Sequence, residues 1–142
     1  MRILIVNGPN LNFLGKREPE IYGNKSYDDL KNYLLDYAKN NNHYIEIYQS
    51  NHEGEIIDII QNKYVEFDAL IINPGAFTHY SYAIYDCLLS INIKSIEVHL
   101  SDIYKREDFR KVSVIKAACD NQFYGKGFES YIDAIKYLNK EG

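Results

Sequence analysis

Residues 2–23 read RILIVNGPNLNFLGKREPEIYG, and this stretch decides the fold of the chain. The apolar run Ile3–Val6 is typical of a strand that is buried on both faces. A long loop rich in Gly, Pro and Asn follows it directly, and open α/β sheets carry their binding crevice at such strand ends. We therefore expect a parallel sheet whose functional residues begin in this loop.

Strand and helix signals alternate along the rest of the chain. Hydrophobic periodicity predicts five strands, at Arg2–Asn7, His43–Gln49, Ala69–Asn73, Ser95–His99 and about Asn121–Tyr124. It also predicts four helices, one running from the N-cap Ser26 to Asn40 and the others at Glu53–Tyr64, His79–Ser90 and Glu129–Asn139. A series of this kind gives a parallel sheet with right-handed crossovers. The short chain favours an α/β, flavodoxin-like five-stranded parallel sheet with helices on both faces.

The bulk composition is that of an ordinary globular protein. The 142 residues fit one catalytic domain, and 46% of them are hydrophobic and 25% charged. The net charge of -4 argues against nucleic acid and anionic membranes as partners. No apolar stretch approaches the ~20 residues of a membrane span, and the first strand leaves no room for a signal peptide, so we expect a cytoplasmic protein. The four scattered histidines predict no metal site, and Cys87 and Cys119 are expected to be reduced structural thiols.

Polar side chains follow the predicted strands at the ends that meet on one edge of a parallel sheet. Neutral hydrogen-bond formers, histidines, arginines and a tyrosine suit a small polyhydroxylated anion better than an apolar ligand. The set comprises Asn7, Asn10, Arg17 and Tyr22 after strand one, Gln49–Glu53 after strand two, Asn73, Pro74, Gly75 and His79 after strand three, and Glu97, His99, Leu100, Ser101 and Arg106 at and after strand four.

These residue types point to an acid–base elimination of water. The guanidinium of Arg17 lowers the pKa of a nearby phenol, so Tyr22 can act as a base that removes a carbon-bound proton. Asn10 can hold a water or donate to a developing enolate oxygen. His99 can give a proton to a leaving hydroxyl, and Glu97 lies on the same strand face and can orient the imidazole.

Each of these residues also has a plainer interpretation when it is taken alone. His99 fits a core histidine, and Asn73–Gly75 fits a simple turn. His52 fits a helix N-cap, and His79, which opens a predicted helix, fits a capping or packing role. The functional interpretation depends on the convergence of all of them at one edge of the sheet.

Four long blocks extend the argument to a known family. They are IVNGPNLNFLGKREPEIYG at 5–23, QSNHEGEIID at 49–58, IINPGAFTHYSYAIYD at 71–86 and IEVHLSDIYKREDFRKVSVI at 96–115. With these blocks the chain closely resembles type II 3-dehydroquinate dehydratase along essentially its whole length. The resemblance implies conversion of 3-dehydroquinate to 3-dehydroshikimate and water, with no metal and no organic cofactor. It also implies flavodoxin-like subunits that assemble as trimers and then as a homododecamer.

The resemblance assigns catalytic roles residue by residue. Tyr22 matches the base that takes a proton from C2, and Arg17 matches the arginine that holds it as a phenolate. Both lie in a loop at about 15–23 that resembles an active-site lid. Asn10 matches the residue that positions a water near the enolate oxygen. His99 matches the acid that protonates the departing C1 hydroxyl, and Glu97 matches its orienting partner.

The resemblance further implies a set of substrate-binding residues. These are Asn73 and His79 at ring and hydroxyl groups with Gly75 in the same turn, Leu100 and Ser101 at the carboxylate, Arg106 at the ring hydroxyls from the far side, Asp86 donated across a subunit interface, and Arg110 as a nearby supporting arginine. The reaction serves the shikimate pathway of aromatic amino acid biosynthesis and equally quinate breakdown.

Two positions depart from the family pattern. Asp102 stands where Asn is common, and it would weaken anion binding if its side chain pointed inward. Asp120-Asn121-Gln122 replaces a usually apolar strand.

Two other protein classes remain as alternatives. A phosphoacceptor or flavin-binding module has the same fold, but Asn7 and Asn73 stand where a phosphoacceptor receiver needs acidic residues. An inactive binding protein would keep the site without turnover.

Overall fold

A computed structural model describes residues 1–16, 20 and 24–141 of the chain. The strands are β1 (Arg2–Asn7), β2 (Tyr44–Gln49), β3 (Ala69–Asn73), β4 (Lys94–Val98) and β5 (Asn121–Phe123). They form one parallel sheet in the order β2-β1-β3-β4-β5. The helices are α1 (Tyr27–Asn40), α2 (Glu53–Lys63), α3 (Tyr82–Ser90) and α4 (Glu129–Glu141). The predicted flavodoxin-like fold is therefore confirmed. Arg17, Tyr22 and most of the predicted lid lie outside the described residues.

The two central strands supply the core on both faces of the sheet. Ile3 and Ile5 point to one face, where they pack with residues of α1 and α4. Leu4 and Val6 point to the other face, where they pack with residues of α2 and α3. All four side chains are fully buried. Because side chains alternate along a strand, a continuous apolar run such as Ile3–Val6 needs a helical layer on each face.

The start of α1 is set by a reciprocal cap, as the sequence predicts. The Ser26 hydroxyl accepts a hydrogen bond from the Asp29 amide at 3.1 Å, and the Asp29 carboxylate accepts one from the Ser26 amide at 2.9 Å. Two otherwise unpaired donors at the helix end are thereby satisfied.

One predicted helix start and one predicted capping role need correction. His79 does not open a helix, because it ends a short 3-10 helix, Gly75–His79, and α3 begins only after Ser81. The Ser81 hydroxyl accepts from the Ile84 amide at 3.0 Å and is therefore the cap. His52 does occupy the N-cap position of α2, but its side chain makes no capping hydrogen bond.

The polar sequence of β5 is explained by its place at the edge of the sheet. Asp120 exchanges two hydrogen bonds with the backbone of Ser95, each 2.8 Å long. The side-chain oxygen Oε1 of Gln122 accepts from the Tyr104 hydroxyl at 2.7 Å. β5 is a short edge strand whose three residues are exposed or only partly buried, so it needs no apolar residue on each face. None of the helices in the described part of the chain has the length and apolar character of a membrane span.

The turns after β1 and β3 are in direct backbone contact. The Gly8 amide donates to the Asn73 carbonyl at 2.7 Å. A Cβ at Gly8 would lie 2.5 Å from the Pro74 carbonyl oxygen, which is closer than nonbonded atoms can approach. Position 8 therefore has to be glycine for the two turns to meet.

Replacing Gly8 with alanine is expected to lower the free energy of unfolding by about 1–3 kcal/mol, the usual range for overpacking against a rigid neighbour. The matched control is Gly54→Ala in α2, where an added Cβ meets nothing within 4 Å. That change should raise stability by up to about 1 kcal/mol because alanine favours helix. Urea denaturation at fixed protomer concentration measures both, and equal stability of the two variants would contradict the contact.

Candidate active site

A cavity lies at the carboxyl ends of β1, β3 and β4, beside the point where the strand order reverses. Its lining is neutral or basic, since none of the described lining residues is an acid. Nine residues predicted from the sequence line it: Asn10, Asn73, Gly75, His79, His99, Leu100, Ser101, Arg106 and Arg110. The described part of the lining is completed by Pro9, Leu11, Leu14, Ala76 and Ile103.

Two predicted site residues lie elsewhere in the subunit. Glu97 is fully buried behind His99, on the side away from the cavity lining. Asp86 lies on the exposed face of α3 and does not line the cavity of its own chain. Arg17 and Tyr22 lie outside the described residues.

His99 and Glu97 form a buried hydrogen-bonded pair at the end of β4. The two side chains share a face of the strand, and His99 Nε2 lies 2.6 Å from Glu97 Oε2. Only 5% of His99 is exposed. A carboxylate only accepts, so Nε2 carries the hydrogen of this bond and Nδ1 remains for a ligand in the cavity. The His99 amide also donates to the Phe123 carbonyl at 3.0 Å, which fixes the main chain at the residue that carries the imidazole.

Glu97 receives further hydrogen bonds from two hydroxyl groups that sequence analysis did not identify. Thr78 Oγ1 lies 2.6 Å from Oε2, and Ser113 Oγ lies 2.9 Å from each carboxylate oxygen. Burial alone would raise the pKa of Glu97, but the hydrogen bonds from His99, Thr78 and Ser113 outweigh it and lower the pKa below its ordinary value. These contacts span 19 and 16 residues, and no local sequence pattern signals them.

His79 is held as a neutral hydrogen-bonding group. Its Nδ1 donates to the Val112 carbonyl at 2.7 Å, and its ring meets Phe109 edge-on. Burial lowers the pKa of His79; the Val112 carbonyl opposes this, and the charges of His99 and Arg110 add to the lowering. A neutral imidazole with hydrogen on Nδ1 can accept a ligand hydroxyl at Nε2.

Two arginines and a serine form the basic side of the cavity. Arg106 Nη1 donates to the Ser101 hydroxyl at 3.4 Å, and Arg110 Nε donates to Glu107 at 2.6 Å. Asp102, the first departure from the family pattern, accepts from the Tyr104 amide at 2.9 Å and so caps the short helix Ile103–Lys105. It does not line the cavity, so it does not oppose an anion there in the way that an inward-pointing side chain would.

The residues after β2 support the first loop and do not line the cavity, contrary to their predicted convergence there. Asn51 Oδ1 accepts from the Asn10 amide at 3.0 Å, and Gln49 Nε2 donates to the Gly8 carbonyl at 3.2 Å. Asn10 adopts a left-handed conformation with φ 70°, which asparagine tolerates better than most residues. Glu53 accepts a hydrogen bond from the Ser81 hydroxyl.

A buried tyrosine from α4 holds the asparagines that end β1 and β3. The Tyr131 hydroxyl donates to Asn7 Oδ1 at 2.6 Å and accepts from Asn73 Nδ2 at 3.0 Å. Asn73 Oδ1 accepts from the Gly75 amide at 3.2 Å, so the amide plane of Asn73 is fixed from both sides. Asn7 Nδ2 in turn donates to the Tyr27 hydroxyl at 3.3 Å. Sequence analysis missed Tyr131, which lies 124 residues from Asn7.

The fold and site define a doubly wound α/β protein with a buried histidine–carboxylate pair at the cavity beside its switch point. The model of the family Dehydroquinase class II matches residues 1–139, and the chain belongs to this family.

Relatives match the chain over nearly its full length. The 3-dehydroquinate dehydratase of Thermotoga neapolitana is 53% identical over 140 residues, which cover 99% of this chain and 95% of that protein. The 3-dehydroquinate dehydratase of Clostridium beijerinckii is 54% identical over 139 residues, covering 97% and 95%. The crystal structure of the type II dehydroquinase from Butyrivibrio crossotus is similar with a TM-score of 0.96 and 55% identity, covering 98% of this chain and 97% of that chain.

Replacing Tyr131 with phenylalanine is expected to lower the free energy of unfolding by about 1–3 kcal/mol, because it leaves buried amide groups of Asn7 and Asn73 unpaired. The matched control is Tyr137→Phe on the same helix. The Tyr137 ring packs on Phe123, and its hydroxyl makes no hydrogen bond to the described residues. Thermal or urea unfolding compares the two variants. An equal loss of unfolding free energy in both would show that the hydrogen-bond network of Tyr131 does not contribute to the stability of the fold.

Proposed function

We propose that this chain is a 3-dehydroquinate dehydratase, a hydro-lyase that converts 3-dehydroquinate to 3-dehydroshikimate and water. The observation that carries the proposal is the buried His99–Glu97 pair at a cavity with no acidic lining among the described residues. Relatives about half identical to this chain carry the same name. The reaction is a step of the shikimate pathway.

The first step is removal of a proton from C2 of the substrate. Tyr22 is the base, and Arg17 beside it in the sequence block 5–23 keeps the phenol ionised. The electrons of the C2–H bond then form an enolate with the C3 carbonyl. Asn10, which lines the cavity, holds a water that donates to the enolate oxygen. Support for Tyr22 and Arg17 is the sequence block, since both lie outside the described residues.

The second step is loss of the C1 hydroxyl. The enolate collapses to a C1=C2 double bond, and the departing oxygen takes a proton from His99 and leaves as water. A buried ionised Glu97 stabilises the imidazolium form of His99 and so favours the state that can donate. Proton exchange with solvent then returns Tyr22 to the phenolate and His99 to the acid.

The cavity also supplies groups that suit the substrate. The carboxylate meets the backbone amides of Leu100 and Ser101 with the serine hydroxyl, and Arg106, with Arg110 beside it in the lining, reaches the ring hydroxyls from the far side. The fixed amide of Asn73 and the neutral imidazole of His79 pair with ring hydroxyls, with Gly75 in the turn between them. The proposed chemistry uses no metal and no organic cofactor.

Purified protein mixed with 3-dehydroquinate is expected to develop the ultraviolet absorbance of the conjugated enone in 3-dehydroshikimate. Turnover should survive pretreatment with borohydride, because the proposed mechanism forms no imine with a lysine. A folded, assembled protein that leaves 3-dehydroquinate unchanged would overturn the proposed function.

The same assay, combined with exchange of the C2 proton into deuterium oxide, separates the two steps. Tyr22→Phe should lose both exchange and turnover, with a fall of about 10²-fold or more for loss of the base. His99→Ala should lose turnover by a similar factor and keep C2 exchange. Equal losses of exchange and turnover in His99→Ala would count against its role as the acid.

We further propose that the site is completed by a neighbouring subunit in trimers that assemble into a dodecamer. Tyr82, Asp86 and Leu89 lie at spacings of four and three residues and form one face of α3. Tyr82 is 68% and Leu89 58% exposed in the single chain, which suits an interface between copies. Asp86 at its centre then reaches the cavity of the adjacent chain.

Subunit mixing tests this assembly. Asp86→Ala and His99→Ala should each be nearly inactive alone, and co-refolding them should restore a substantial fraction of wild-type activity. Restoration is expected because the intact Asp86 of one chain then faces the intact His99 site of another. The native mass should be close to twelve times the 16.6 kDa of the chain. A monomeric active enzyme, or mixed activity equal to the average of the two variants, would contradict the shared site.

A further inference from the structure

A segment of irregular structure contacts His79 and Glu97, the hydrogen-bond partner of His99. The Val112 carbonyl accepts from His79 Nδ1 at 2.7 Å, and the next residue, Ser113, contacts both oxygens of Glu97. The Val114 amide then donates to the Thr78 carbonyl at 2.8 Å. Residues 112–114 belong to no strand or helix, so their position is maintained by these contacts.

The hydroxyls of Thr78 and Ser113 act on the same carboxylate from different parts of the chain. Thr78 is fully buried, and its Oγ1 lies 2.6 Å from Glu97 Oε2. The two hydroxyl oxygens are 3.1 Å apart. Ser113 Oγ also accepts from the Lys116 amide at 3.2 Å. Because a carboxylate only accepts, the contact of Ser113 with Glu97 uses the single hydrogen of the hydroxyl.

We propose that Thr78 and Ser113 are positioning residues for the acid, whose hydroxyls keep Glu97 ionised as the counter-ion of a protonated His99. This inference rests on the proposed function, because it concerns the proton that His99 gives to the leaving hydroxyl. Neither residue reaches the cavity lining, so both act through Glu97.

The proton in the hydrogen bond between His99 and Glu97 can reside on either residue. Hydroxyl donors stabilise the carboxylate and not the carboxylic acid, so they oppose transfer of the imidazole proton to Glu97. Without them, burial would favour the neutral pair, in which Glu97 holds the Nε2 proton. A neutral imidazole is a far weaker acid than an imidazolium, so it gives its Nδ1 proton to the leaving hydroxyl much less readily.

Other titratable groups near the pair influence the same proton. His79 interacts electrostatically with both His99 and Glu97, and its lowered pKa keeps it neutral. Cys119 also faces Glu97, and burial, with Glu97 and Asp120, raises the pKa of its thiol, so it too is neutral. Arg106 and Arg110 line the same cavity and stay charged at every accessible pH. The titratable charge near His99 therefore depends chiefly on Glu97 and its donors.

The variants are Thr78→Val, Ser113→Ala and the two combined. The matched control is Ser95→Ala, which removes a buried serine hydroxyl on the same strand as Glu97. The Ser95 hydroxyl has no hydrogen-bond partner among the described residues. Thr78→Ser serves as a conservative variant, because it keeps a hydroxyl at position 78.

In the double variant we expect kcat to fall about tenfold or more, since hydrogen bonds to charged groups are worth roughly a factor of ten each. The alkaline limb of the kcat profile should move to lower pH by about one unit, because weaker support from Glu97 lets His99 lose its proton more easily. Exchange of the C2 proton should persist. The alkaline limb of Thr78→Ser should lie closer to the wild-type pH than that of Thr78→Val, and Ser95→Ala should leave the limb in place.

A second readout needs no substrate. In protein with ¹³C-labelled histidine, the titration midpoint of the His99 Cε1 signal should move to lower pH in the double variant and stay in place in Ser95→Ala. An unmoved midpoint, or a slower enzyme with an unmoved alkaline limb, would overturn the positioning role. A shifted midpoint in a protein that does not turn over 3-dehydroquinate would instead keep the hydrogen-bond role and reject the proposed function.

Discussion

The parallel pairing of β1 with β3 is the contact on which the site depends. Their register sets Asn7 opposite Asn73, and the Gly8 amide then donates to the Asn73 carbonyl. Chain connections leave this pair in opposite directions, which opens a crevice at the carboxyl ends of the strands. The close approach of Gly8 to Pro74 keeps the two turns together at the edge of that crevice. Every other group of the cavity is arranged around this junction.

The carboxyl end of the sheet contains two buried polar clusters where an apolar core would be simpler. One joins Tyr131 to the asparagines at 7 and 73, and the other joins Glu97 to His99, Thr78 and Ser113. Burying a carboxylate is unfavourable unless hydrogen bonds satisfy it, so each cluster needs all of its members. The first cluster orients a neutral amide toward the cavity, and the second holds the imidazole of His99 at the cavity lining.

Local patterns in the sequence were enough for the strands and for most helix ends. The apolar runs and the Ser26 cap depend on near neighbours in the chain, and the structure confirms them. The predicted start of α3 at His79 was wrong, because Ser81 is the residue that caps the helix. Gln49 and Asn51 were predicted to converge on the cavity, but their amides are used to support the first loop. Periodicity does not predict which of several polar side chains will pair with backbone.

By itself the sequence determined the flavodoxin-like sheet, the family and nine residues that line the cavity, because strand ends and motif blocks are local properties of the chain. The tertiary structure alone decided the partners of Glu97 and of Asn73, since Thr78, Ser113 and Tyr131 come from distant segments. It also decided that Asp102 caps a short helix and does not line the cavity. Such contacts depend on how helices and loops pack over the sheet, and that packing has no signature in the residues adjacent in sequence.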